Sequence, residues 1–115
     1  MPESPRRLPE DPLGFIRGYV EQRRILWTYH VNIRLAARFI PREAILGSTG
    51  SFEIIESYPE DKYLPSYLVR AKHEGTVFHV LFATDVEHGS VRIVTAYWPD
   101  PGEWEDNLRK RRSCS

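Results

Sequence analysis

Thr28-Tyr29-His30-Val31-Asn32-Ile33-Arg34-Leu35-Ala36-Ala37-Arg38-Phe39-Ile40 is the stretch around which this chain is organised. Thr28 is a good N-cap and Pro41 a good stop, so the run reads as a helix ending near Phe39. At about 100° per residue, His30, Arg34 and Arg38 lie one turn apart on one strip. Val31, Ile33, Leu35, Ala36, Ala37, Phe39 and Ile40 spread over most of the remaining circumference, interrupted only by Asn32. A helix that is apolar on so many sides is expected to be packed on several of them. The His-Arg-Arg strip is then its single polar edge, facing water, a cleft, an acid or a phosphate.

Working outward, Pro2, Pro5, Pro9 and Pro12 punctuate a charged N-terminal segment. Residues 1–12 are therefore expected to form a disordered arm, and 13–112 one domain with a flexible tail at 113–115. Phe15, Ile16, Tyr19, Val20 and Leu26 fall at helical spacing, which predicts a helix over Leu13–Leu26, capped by Asp11 with Pro12 in its first turn. Arg42–Leu46 reads as a short helix stopped by Gly47. Beyond Gly50 the texture becomes that of strands, over 51–58, 66–72, 76–85 and 90–98. Turn clusters lie at Pro59–Lys62, His73–Gly75 and Glu87–Gly89. Short turns make neighbouring strands antiparallel. Glu103–Arg112 is read as a short terminal helix. The expected fold is α+β: N-terminal helices packed on a four-stranded antiparallel meander.

The chain has 115 residues, with 16 Lys and Arg against 16 Asp and Glu. A neutral chain creates no global field toward nucleic acid or anionic lipid, so any anion site has to be local. Cys114 is the only cysteine, which rules out an intrachain disulfide and a Cys metal site. No apolar run is long enough to cross a membrane, and no signal-peptide core is present. A soluble cytoplasmic protein without membrane attachment is the expectation.

The inventory of the helix strip suits phosphodiester cleavage in RNA, where a 2′-hydroxyl attacks the adjacent phosphorus. Arg34 and Arg38 can hold the phosphate, and His30 can move a proton near neutral pH. The bland alternative pairs both arginines with Glu53, Glu56 or Asp85. His79 lies inside the most apolar strand and needs a polar partner. A two-residue turn after the strand would set Val80 against Tyr97, whereas a longer loop with a bulge would set His79 opposite Tyr97. Tyr97 and His79 are thus candidates for a second proton-transfer or stacking role, and Thr95 and Trp98 for substrate contacts. Arg109, Lys110, Arg111 and Arg112 can meet RNA or ribosomal backbone, or form a solvated helix end. His30, His73, His79 and His88 show no tight ligand spacing, so neither a metal nor a cofactor is expected.

Thr28-x-His30-x-x-x-Arg34-x-x-x-Arg38-x-Ile40 with Arg42-Glu43-x-Ile45 resembles the opening of a bacterial family called domain of unknown function 4258. Glu53-Ile54-Ile55-Glu56-x-Tyr58-Pro59, Pro65-Ser66-Tyr67, His79-Val80 and Ile93-Val94-Thr95-Ala96-Tyr97-x-Pro99-Asp100-Pro101-x-x-Trp104 continue the resemblance over about residues 15–112. That family is similar in arrangement to RelE-, ParE- and BrnT-like toxins of bacterial toxin–antitoxin pairs, many of them RNases. The resemblance implies a RelE-like fold and matches His30, Arg34 and Arg38 to a helix motif and His79, Thr95 and Tyr97 to strand positions. It also implies RNA, the ribosome or a cognate antitoxin as partners. Three functions follow as expectations: a metal-independent toxin-type endoribonuclease, a non-catalytic protein-interaction module, or an RNA-binding protein without cleavage.

Overall fold

The computed structural model describes residues 8–112, so most of the expected arm and the whole tail lie outside it. Helix α1 spans Pro12–Glu21, with Pro at its start and the Asp11 carboxylate accepting from the Gly14 amide. A Cβ at position 14 would stand 2.3 Å from that carboxylate, so glycine is what lets the cap close. The helix ends five residues earlier than its apolar spacing suggests. Arg23 enters the left-handed region (φ 63°) and turns the chain into a two-residue strand, β1, at Ile25–Leu26.

Helix α2 covers Tyr29–Ala37, and Thr28 caps it by accepting from the Val31 amide. Helix α3 is Arg42–Leu46. A 3-10 turn at Thr49–Ser51 leads into strands β2 (Glu53–Tyr58), β3 (Ser66–His73), β4 (Thr76–Asp85) and β5 (Ser90–Tyr97). The sheet has five strands rather than four, in the order β1-β5-β4-β3-β2. β1 runs parallel to β5 and every other pair is antiparallel. The expected α+β class holds, but the sheet is not the expected four-stranded antiparallel meander: a fifth strand, parallel and too short to carry its own alternation, joins at the edge.

Two bulges set the register. On β2, Ile55 is the extra residue, and on β5 it is Val94. The β4–β5 loop spans residues 86–89, and with the Val94 bulge it places His79 directly opposite Tyr97. Glu74 and Gly75, at φ 51° and 83°, make the two-residue β3–β4 turn, in which left-handed backbone matches the strand twist.

All three helices lie on one face of the sheet. Ile16, Val20, Val31, Leu35 and Ile45 pack against Val69, Phe78, Val80, Phe82, Val91 and Ile93 in one buried core. Each such side chain contributes roughly 1.5–3 kcal/mol when fully buried. The other face carries His79, Leu68, Ala83 and Ser66, all buried but outside that core.

The expected C-terminal helix is absent. Residues 103–112 fold back as a strap, with Trp104 bridged to Arg111, the Glu105 amide donating to Lys110 and the Arg112 amide to Glu103. Leu108 at φ 59° makes the reversal that a helix would forbid. Nor is α2 packed on several sides. Val31 and Leu35 alone are buried within it, and Tyr29 and Ile33 are 76% and 50% exposed. No helix among the described residues is long and apolar enough to cross a membrane.

Candidate active site

The helix-free face of the sheet is organised as rows across the strands. Glu53, Arg70, His79 and Tyr97 form one row, and Glu56, Leu68, Leu81 and Thr95 the next. The strap lies along the first row and supplies hydrogen-bond partners to three of its residues. Arg109 Nε sits 2.8 Å from Glu53, Arg70 Nε donates to the Asn107 carbonyl at 3.1 Å, and His79 Nε2 donates to the Leu108 carbonyl at 2.8 Å. Trp104 closes the layer, its ring centroid 4.4 Å from that of His79.

Because the Leu108 carbonyl only accepts, His79 carries its hydrogen on Nε2, and Nδ1 is left to accept from the Tyr97 hydroxyl at 3.4 Å. Burial pushes the His79 pKa down against the raising effect of the Leu108 hydrogen bond, and Arg70 lowers it further. Burial pushes the Tyr97 hydroxyl up, so it holds its proton through neutral pH.

Beyond the strap the second row stays open. Tyr58, Asp61, Leu68, Leu81, Thr95, Tyr97 and Arg111 line a cleft of about 330 Å³. Its polar wall is a linked set. Arg111 holds the Glu56 carboxylate with two nitrogens, at 2.7 and 3.1 Å, and stacks 4.6 Å above the Trp104 ring. The Tyr58 hydroxyl donates to Glu56 from the same face of β2, two residues on. Burial raises the Glu56 carboxyl, but the Arg111 and Tyr58 hydrogen bonds and the Arg111 charge outweigh it, and the net shift is downward. The Glu56 contact holds the Arg111 guanidinium above its ordinary value. A second hollow, of about 400 Å³, adjoins at Asp61 and is lined by Lys62, Tyr63, Ser66, Arg92 and Val94 among others.

The sequence-predicted residues divide accordingly. Tyr97, Thr95 and Arg111 come together at the cleft, and His79, fully buried under the strap, reaches it only through the Tyr97 hydroxyl. Arg38 reaches it only indirectly, donating to Thr95 Oγ1 at 3.1 Å and to the Ala96 carbonyl at 2.6 Å, while the Trp98 indole donates back to the Arg38 carbonyl. These bonds fasten the end of α2 to β5. His30 and Arg34 are exposed on α2, and neither lines the cleft. The pairing of Arg34 and Arg38 with Glu53, Glu56 or Asp85 does not occur, since those acids are taken by Arg109, Arg111 and His88. Arg112 bonds Asp106 and the Pro101 carbonyl, so the basic tail is mostly internal pairing rather than a free RNA-binding patch. Glu56 and Tyr58 are the functional candidates that sequence reasoning missed. Their alternation on β2 was a signal for a shared face, but their link to Arg111 required the strap. Among the described residues, no three His, Cys, Asp or Glu side chains gather in a way that would hold a metal ion.

A stability effect follows from His79. The folded state resists protonating it and the unfolded chain does not, so unfolding takes up a proton once pH falls below about 6.5. Stability is expected to be fully present above that pH and to decline as pH falls toward the lower folded-state pKa; Glu56 adds loss in the same direction below its ordinary range. Urea unfolding between pH 7.5 and 5 checks this. His79→Gln, which does not titrate, should flatten that window, and an unchanged slope would remove His79 as the cause.

No curated protein and no solved structure matches the chain. A family model described as Domain of unknown function (DUF4258) matches residues 27–98, from just before α2 through β5, leaving α1 and the strap outside. That span is more than half of the chain and includes every strand of the meander, and the chain accordingly belongs to the DUF4258 family.

Proposed function

We propose that this protein is a metal-independent endoribonuclease of the toxin type, and that the reaction belongs to the cleft on the sheet rather than to the strip on α2. The observation that carries the reading is the meeting of Arg111, Tyr58 and Tyr97 in the lining of one open cleft, with Glu56 held beside it by Arg111 and Tyr58. The resemblance of the family to RelE-, ParE- and BrnT-like toxins supports it, as does the position of the cleft on the face opposite the helices.

RNA cleavage of this kind needs a base for the 2′-hydroxyl, an acid for the departing 5′-oxygen and a cation for the phosphorus-bound oxygens. Glu56, kept ionised by Arg111, takes the 2′-hydroxyl proton as the 2′-oxygen bonds phosphorus. Tyr97 gives its proton to the 5′-oxygen as the P–O5′ bond breaks. Arg111 stays beside Glu56 and offers its remaining N–H donors to the phosphate oxygens. His79 receives the Tyr97 hydrogen bond and orients that hydroxyl. The products are a 2′,3′-cyclic phosphate and a 5′-hydroxyl, and water returns the proton from Glu56 to Tyr97.

Incubating the purified protein with RNA in excess chelator, with and without translating ribosomes, tests the proposal by the chemistry of the new ends. Cyclic-phosphate ends in either arm are expected. No cleavage in both arms would leave the fold as a protein-interaction module, with Arg111 and Glu56 as a structural pair.

A further inference from the structure

Helix α2 ends in a Schellman motif. The Ile40 amide donates to the Leu35 carbonyl at 2.9 Å and the Phe39 amide to the Ala36 carbonyl at 3.2 Å. Leu35 and Ile40 make the buried apolar contact that accompanies the motif. Phe39 occupies the position where glycine is usual, at φ 56°, and its side chain is 86% exposed. A bulky aromatic residue is disfavoured in left-handed backbone, and here the ring gains no burial in return.

Phe39 borders a shallow apolar groove of about 340 Å³ with Leu35, Ala36, Ile40 and Pro41. Tyr29, Ile33, Ala36 and Ala37 extend the apolar strip along α2, and His30 and Arg34 flank it. Between Glu21 and Glu43, the stretch of chain that carries it holds one sign of charge. Residues 22–42 contain five arginines and no carboxylate. Arg23 and Arg24 bond backbone carbonyls, Arg38 a carbonyl and a hydroxyl, and Arg42 the Asn32 amide oxygen. Arg34 has no ion pair among the described residues, so none of these five charges is neutralised by an acid there. The C-terminal arginines differ in this respect, each of the three being held by a carboxylate.

We propose that this face of α2 is a docking surface for an acidic amphipathic segment of another protein. Apolar side chains of the partner fill the groove beside Phe39 and cover Ile33 and Tyr29, and its carboxylates meet Arg34 and His30. The apolar lining favours a protein over RNA, and the uncompensated arginines favour an acidic partner over a second copy of this neutral chain. The proposal stands whether or not the cleft cleaves RNA.

The test uses a fluorescent amphipathic peptide of about fourteen residues, with Leu on one helical face and Glu on the other. It is compared with a scrambled peptide of equal composition, a Lys-for-Glu twin and a short single-stranded RNA. Saturable binding of the acidic peptide alone is expected, weakened about tenfold by Arg34→Ala and by added salt. Phe39→Gly should remove binding and raise the Tm by a few degrees, because it relieves the backbone at the helix end. Circular dichroism confirms that both variants fold. Failure of the acidic peptide to bind, equal binding of its scramble, or RNA as the only ligand sensitive to Phe39 would overturn the proposal. So would self-association of the free protein that Phe39→Gly abolishes.

Discussion

Replacing Trp104 by Ala is expected to lower the unfolding free energy by about 3–5 kcal/mol, the usual cost of deleting a buried large aromatic side chain. Trp104 is 1% exposed and belongs to the layer under the strap, not to the core between helices and sheet. It touches His79 on one side and Arg111 on the other. For a domain of this size the loss corresponds to a Tm lower by more than about 10 °C. The indole Nε1 is buried without a hydrogen-bond partner. A buried donor left unpaired is itself unfavourable, so Trp104→Phe should lose far less than Trp104→Ala: it keeps much of the apolar area and removes the orphan donor. Urea unfolding of the two variants decides the point. Equal, small losses would mean that the strap contributes nothing to the fold. The Ala variant should also cost the cleft its geometry, because Arg111 loses the ring on which it stacks.

The importance of Trp104 also marks where reading the sequence stops. Local chemistry was legible: Asp11 and Thr28 as caps, Pro41 and Gly47 as breakers, Glu74-Gly75 as a turn, and four strands with boundaries close to those observed. Each depends on residues within a few positions of one another. What failed depends on contacts far apart in sequence. Ile25-Leu26 is a strand only because Val91 and Arg92 lie beside it. Residues 103–112 have helical composition but find more partners as a strap, with Glu53, Glu56, Arg70 and His79 all satisfied across the sheet. The helix strip misled for a related reason. Apolar residues around a helix signal burial only when elements are available to cover them, and here the core on the sheet takes in just the Val31–Leu35 side. His79 facing Tyr97 was one of two registers open to the sequence, and the Val94 bulge selected it.

The two candidate sites make opposite kinetic predictions, and the contrast is large. If the cleft cuts RNA, Arg111→Ala should lower kcat/KM about 10³-fold by removing the cation from the transition state. Tyr97→Phe should lower it by about 10²–10⁴-fold by removing the acid while keeping the ring. Arg111→Lys keeps the charge but not the two-pronged geometry, so its activity should fall between those of Arg111 and Arg111→Ala. His30→Ala and Arg34→Ala, on exposed positions outside the cleft, should stay within about threefold, the range expected for surface changes that touch no reacting group. Loss of cleavage in those two variants, with full activity in the Tyr97 and Arg111 variants, would return the chemistry to the helix. The pH profile tests the cleft independently. Cleavage through Glu56 and Tyr97 needs the first ionised and the second protonated. The Glu56 pKa is shifted down and that of Tyr97 up, so both limbs move outward and the rate should be flat through neutrality. Because acid also weakens the fold through His79, the acid limb has to be read from initial rates on protein shown to be folded at each pH. A rate that breaks within the neutral range, with folding intact, is the result that an ionised Glu56 and a protonated Tyr97 do not produce.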